Sequence, residues 1–271
     1  SEDGNMRTMT TMLKKTFPDL RYGHRLPIGS MDVIRNFTYQ ELRDYYHKWY
    51  RPDLQGLVIV GDVDVDYVEQ KIKDTFADMP APVNPAERVY LEVPDREAPI
   101  GIVVTDPETT RTMISFSYST DALPRELKAS AVGPAMNYVT SIITSMMNDR
   151  FTDIAHKPNA PFVYAGMSMG SVMGFVPTED EASFIAIAHE GRTEEALNAI
   201  VAEMKRAKEY GFTAAEYERA KADLISTYEN LLNSKDNRTN TSYADEYSDY
   251  FTKGGYIPGI EVEYQLMNNL C

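Results

Sequence analysis

Residues 22–31 read YGHRLPIGSM, and after an amphipathic segment residues 49–64 read WYRPDLQGLVIVGDVD. Between the two, Thr38-Tyr39-Gln40-Glu41 has the form of a capping box, in which a Thr hydroxyl and a Glu carboxylate satisfy N–H groups at a helix start. Leu42, Tyr45, Tyr46 and Trp49 then recur at helical spacing. The helix is predicted to end at Arg51-Pro52, because proline disfavours the helical conformation of the residue before it. Leu57, Val58, Ile59 and Val60 form a short β-branched-rich run bounded by Gly56 and Gly61, which reads as a strand buried on both faces. Asp64 can cap a further helix that presents Val65, Val68, Ile72 and Phe76 on one stripe. Helix, buried strand, helix is the pattern of an α/β sandwich.

Working outward, five prolines at 80, 82, 85, 94 and 99 mark a linker or domain crossing, with an extended piece at 88–93. A boundary there gives one domain over 1–85 and a second over 86–271. Strands are predicted at 100–105 and 112–119 around a turn at Asp106-Pro107, then a helix at 125–149, and strands at 162–169 and 183–188. Two long helices follow, 193–209 and 213–233, the second opening with the capping box Thr213-Ala214-Ala215-Glu216. The tail at 237–251 reads as weakly helical, stopped by Gly254-Gly255, with Tyr243, Tyr247 and Tyr250 on one side for packing. Strands followed by runs of helices predict an α+β fold, with helices packed on one face of a mostly antiparallel sheet.

The 271 residues are enough for one large or two medium domains, and the 43% apolar and 25% charged content is that of a globular protein. A net charge of −14 argues against nucleic-acid binding, which needs a concentrated basic footprint. The only cysteine is Cys271, so neither an intrachain disulfide framework nor a Cys-rich zinc site is available. No apolar run is long enough to span a membrane as a helix.

The search for chemistry returns no catalytic and no metal-ligating residue, and leaves substrate-binding residues unassigned. His24, His47, His156 and His189 stand in unrelated contexts, and none begins an HExxH or HxxEH pair that would put two histidines and a carboxylate on one helix face. No GxSxG elbow occurs, and Ser and Thr residues are scattered without a paired base. Gly166-Met167-Ser168-Met169-Gly170, with Gly174, lacks the Walker lysine and reads instead as a strand that lets another backbone approach closely.

Arg25-Leu26-Pro27-Ile28-Gly29, the helix with Leu42 and Tyr46, Trp49-Tyr50-Arg51-Pro52-Asp53 and Val60-Gly61-Asp62-Val63-Asp64 resemble, in order and spacing, the pitrilysin/insulinase family of zinc metallopeptidases. Asn148-Asp149-Arg150-Phe151 resembles part of the next domain of those proteins. The resemblance implies two-layer α+β sandwich domains of the mitochondrial-processing-peptidase-like metallohydrolase type, built into a clamshell around a peptide chamber. In active members an HxxEH helix supplies two zinc ligands and a catalytic Glu, and a downstream Glu completes the site. Zinc activates its water for attack on a peptide carbonyl. Here Glu2 sits too close to Tyr22 to match that downstream Glu, and residues 157–164 have no counterpart of the family's carbonyl-steadying Arg and Tyr.

The resemblance therefore implies a zinc-dependent endopeptidase as the parent protein, with this segment supplying scaffold and chamber wall. Residues 1–85 would be the end of the catalytic-type domain without its zinc motif, and 86–271 a non-catalytic domain. No cofactor is expected in the chain itself, which should be inactive alone. Expected partners are the remaining domains or a partner half, and peptide substrates, with no nucleic acid and no membrane span. The expected location is the bacterial periplasm or cell envelope. The alternative is an inactive relative serving as a structural or partner-binding subunit. Pro27 and Gly29 should shape a turn, Trp49 and Tyr50 anchor their helix in the core, and Val58 to Val60 form a central strand.

Overall fold

The computed structural model describes residues 3–270, so Glu2 and Cys271 lie outside the described residues. The fold is α+β, as the sequence predicts: helices packed on an antiparallel three-stranded sheet of order β1-β3-β2. The strands are β1 (Met113–Asp121), β2 (Phe162–Ser171) and β3 (Glu179–Ala188). Side chains alternate across a strand, and the sheet obeys that rule closely. Phe116, Phe184 and Met167 form one cross-strand row, and Ile114, Ala186 and Ala165 the next. All six join a core with Phe151 and Ile200, which come from the helices laid over this face.

Those helices are α6 (Val132–Ala155) and α7 (Thr193–Tyr210). The predicted helix at 125–149 is split: a short α5 (Arg125–Lys128) precedes α6, which runs on to Ala155. The break is tight, since a Cβ at Gly133 would stand 2.3 Å from the Lys128 carbonyl oxygen. Helix α8 (Ala214–Asn233) opens with the predicted capping box of Thr213 and Glu216. The tail forms α9 (Asn240–Lys253), ended by Gly254 at φ 76°, a value that favours glycine. A last helix, α10 (Ile260–Leu270), lies against α6 and α8 through Met267, Ile142 and Ala220.

The first part of the chain departs from its prediction. Helix α3 (Tyr39–Trp49) has its capping box, and α4 (Val65–Phe76) its Asp64 cap, with Asp64 Oδ1 accepting from Tyr67 N at 3.0 Å. Yet residues 57–60 form no strand, and Leu57 is 58% exposed. A strand needs a neighbour for its N–H and C=O groups, and among the described residues none lies alongside. The central-strand reading of Val58 to Val60 is corrected accordingly. Tyr50 is exposed and Trp49 only half-buried, so they do not anchor α3 in a core. The α4 stripe is only partly covered, with Val65 and Phe76 exposed and Val68 and Ile72 half-buried. The strand predicted at 100–105 is also absent.

What the first part does have is a helix that the sequence pattern does not predict, α1 (Gly4–Thr16). Its Leu13 and Phe17 are buried with Val172 and Val176, beside Tyr22, Leu26 and Val93. Arg7 Nε donates to Asp106 Oδ2 at 2.7 Å, which fastens α1 to the turn at Asp106-Pro107. The Tyr22 hydroxyl and the Thr178 hydroxyl both donate to the Leu91 carbonyl, at 3.1 and 3.0 Å. The turn expected of Pro27 and Gly29 is present, with Gly29 at φ 74° and its N–H donating to the Leu26 carbonyl.

Candidate functional site

The Asn148-Asp149-Arg150-Phe151 run on α6 is where the helical layer is joined to the sheet and to its neighbours. Phe151 is 0% exposed and packs edge-on against Phe184. The Arg150 guanidinium is 7% exposed and meets Glu216 at two points, Nε to Oε1 at 2.5 Å and Nη2 to Oε2 at 3.0 Å. Its Nη1 donates to Glu203 Oε1 at 3.1 Å, its Nη2 to the Gly211 carbonyl at 3.0 Å, and it lies 4.4 Å over the Phe212 ring. The Arg150 hydrogen bond is the chief cause that brings the Glu216 carboxyl down to about 2, against the opposing effect of burial. Every polar group of this node is committed, so its role is to hold three helices together.

Asn148 acts on the sheet edge. Its Oδ1 accepts from Met167 N at 2.7 Å and its Nδ2 donates to Met167 O at 3.1 Å. These backbone groups point away from β3, because a strand residue turns its N–H and C=O to the same side. The amide thus stands where another strand would pair. At Gly166, where the sequence predicts a close approach of another backbone, the space is filled by the Tyr164 hydroxyl, 2.5 Å from where a Cβ would be.

The sheet face away from the helices carries a different set. By register its rows are Ser115, Ile185 and Gly166, then Ser117, Ser183 and Ser168, then Ser119, Glu181 and Gly170. Glu181 is engaged, accepting from Met173 N at 3.0 Å. A further row on the same face, Met113, Ile187 and Tyr164, is apolar and aromatic, so the surface is serine-rich at its centre and apolar at one end.

The histidines are dispersed. His24 Nε2 lies 2.5 Å from the Pro18 carbonyl oxygen, and His47 stands against the Tyr46 ring. His156 follows α6, and His189 follows β3 with its N–H on the Pro161 carbonyl. Among the described residues no group of three or more His, Cys, Asp or Glu is arranged to hold a metal ion. These residues do not fit a zinc centre. Nor, among the described residues, is any helix long and apolar enough to cross a membrane.

The helix-backed antiparallel sheet is the fold of an α+β sandwich domain, and comparison with known proteins gives its family. The profile described as "Peptidase M16 inactive domain" matches residues 36–224, and the chain belongs to this family, that of the pitrilysin and insulinase peptidases. Over 237 residues it is 23% identical to "Probable zinc protease PqqL" of Escherichia coli (strain K12), which covers 88% of the chain and 25% of that relative. The crystal structure of the periplasmic protease PqqL from Escherichia coli superposes with a TM-score of 0.83 at 20% identity, over 99% of this chain and 29% of that one. That of the first half of the same protein gives 0.82 at 20% identity, over 99% of this chain and 56% of that one. The chain therefore spans about a quarter of the length of the curated relative, and the structural likeness shows the fold.

Proposed function

We propose that this chain is part of a zinc-dependent endopeptidase that hydrolyses peptides in an enclosed chamber, in which it supplies scaffold and chamber wall. The observation that carries the reading is the contrast between its two parts. The sheet at 113–188 has a helix-covered core face and an open serine-rich face, whereas α2 (Met31–Asn36), α3, α4 and residues 57–60 hold no fully buried side chain and leave most of their large apolar side chains exposed. Uncovered apolar surface on this scale belongs against another part of a protein. Residues 1–85 are assigned to the end of a catalytic-type domain and 86–271 to the non-catalytic domain. The open sheet face is the proposed chamber wall, and peptides are its proposed ligands.

Zinc and the residues that hold it belong, on this reading, to other parts of the parent protein, and the chain alone is inactive. Similarity to a probable zinc protease supports the peptidase assignment, and likeness to a periplasmic protease supports a periplasmic location. The test is reconstitution. The isolated chain should neither bind zinc stoichiometrically nor cleave peptides, and joined to a PqqL-type zinc-binding segment it should complete a chelator-sensitive peptidase. Stoichiometric zinc in the isolated chain would overturn this.

The match to an inactive domain supports a second reading, a structural or partner-binding subunit without catalysis. Sequencing the gene upstream of the codon for Ser1 separates the two. An intact HxxEH followed by a spaced Glu supports the peptidase, and a degenerate motif supports the subunit.

A further inference from the structure

On the helical side of the domain, remote from the open sheet face, a cavity of about 130 Å³ lies between α6, α8 and α10. Its walls include Pro134 and Asn137 of α6, Tyr228 of α8, Tyr256 from the loop before α10, and Glu263 and Met267 of α10. Residues four apart on a helix share a face, so the burial of Met267 in the core between α6 and α8 turns Glu263 inward toward Tyr228. Among the described residues no hydrogen bond or ion pair reaches the Glu263 carboxylate.

The cations nearby are committed elsewhere. Lys235 Nζ donates to Glu261 Oε1 at 2.6 Å. Arg238 pairs with Glu246, donates to the Ser242 hydroxyl at 2.9 Å and to the Ser242 carbonyl at 3.2 Å, and lies over the Tyr243 ring. Three carboxylates, of Glu246, Glu261 and Glu263, therefore face two basic groups. Burial, and then the charge of Glu246, hold the Glu263 carboxyl above its ordinary range, with Arg238 opposing only in part. A half-buried carboxylate beside two tyrosine rings, lacking its own counter-ion, is the chemistry that recognises an organic cation, through charge and through the negative faces of the rings.

We propose that this cavity is a binding site for a primary alkylammonium group, with Glu263 as its counter-ion and Tyr228 and Tyr256 as its walls. The size fits. A cavity of about 150 Å³ admits benzene, so this one takes a four-carbon chain with its ammonium head. Such a group is carried by a lysine side chain of a protein or by a free amine.

The test uses the full chain and n-butylammonium, followed by NMR, with n-butanol as the neutral isostere. Butylammonium should cause saturable shifts at Tyr228, Tyr256 and Glu263, and butanol should bind at least about tenfold more weakly, the loss of one charge-assisted hydrogen bond. Glu263→Gln, checked for an unchanged melting temperature, should weaken butylammonium to the same extent. Asp66→Asn on α4 removes an equal charge from a remote surface and should leave affinity unchanged. If Glu263→Gln fails to fold, Tyr256→Leu at the exposed rim serves as the second variant and should also weaken binding. Equal affinity for butanol, or equal weakening by Asp66→Asn, overturns the proposal. A capped tripeptide with a central Lys that binds as well as butylammonium identifies a protein side chain as the source, and its exclusion identifies a free amine.

Discussion

Arg150 and Glu216 form a two-point ion pair between α6 and α8, and the same carboxylate closes the cap of α8 by accepting from Thr213 N at 2.7 Å. One group thus sets both where α8 starts and how it lies on α6. Replacing Arg150 by Met leaves the buried Glu203 and the largely covered Glu216 with one partner fewer each, which should cost about 3 kcal/mol in urea unfolding. The double variant Arg150→Met, Glu216→Gln removes one orphaned charge and should be more stable than Arg150→Met alone. Additive losses from the two substitutions would show that the pair is not coupled.

The same pair sets an acid limit. Glu216 has its carboxyl at about 2 in the folded chain, against an ordinary value of 4.5. A lowered folded value means the stabilisation is complete above the ordinary value and is lost as pH falls through 4.5 toward about 2. Unfolding free energy should drop across that window, and Glu216→Gln, weaker at neutral pH, should drop less steeply. Identical slopes for the two proteins would rule the assignment out.

Glu179 carries the opposite sign. It is 6% exposed, lies opposite Asp121 across β3 and β1, and is held above its ordinary range by burial first and then by Asp121, Asp95 and Asp180. A raised folded value means stability is full below the unfolded value and falls as pH rises through the folded one. Glu179→Gln should therefore stabilise the protein at pH 7, on the order of 1 kcal/mol, and the gain should shrink toward pH 4. Thermal melts of both proteins across that range check the sign.

Asn148 predicts a local effect. Asn148→Ala removes both side-chain partners of the Met167 backbone and should cost about 1–3 kcal/mol. Amide exchange at Met167 should quicken more than at Phe184 on the central strand. Asn148→Asp keeps the acceptor for Met167 N but loses the donor to Met167 O, and should fall between wild type and Ala.

Much of the second part is legible in the sequence because its signals are local. The Thr213–Glu216 box, the alternation in β1 and β3 and the apolar period of α7 need no distant partner to be read. The Arg150 node is not legible, because its partners lie 53 and 66 residues away. One signal could expose it: Glu203 occupies the helical stripe of Ala196 and Ile200, where a carboxylate needs a buried cation. Helix α1 escapes prediction because its Thr- and Met-rich sequence opens with no capping box to mark a start, and its order comes from burial of Leu13 and Phe17 and from Arg7 on Asp106. Residues 57–60 fail in the other direction: their composition is that of a buried strand, and composition supplies no partner strand.

That last mismatch gives the sharpest test of the proposed place of this segment. In the chain as described, Leu57 and Ile59 are 58% and 48% exposed, so Leu57→Ser with Ile59→Thr should change its stability by no more than about 0.5 kcal/mol. Removing apolar surface should also lower binding of a hydrophobic dye and self-association. In a parent protein where these residues form a strand buried on both faces, the same pair should cost several kcal/mol, about 2 or more for each large side chain lost from a core. Measured side by side in the isolated chain and in a reconstituted peptidase, the two costs should differ by that margin. A large loss in the isolated chain would mean the strand forms without its neighbours, and a small loss in both would mean the apolar run is not covered in the parent either.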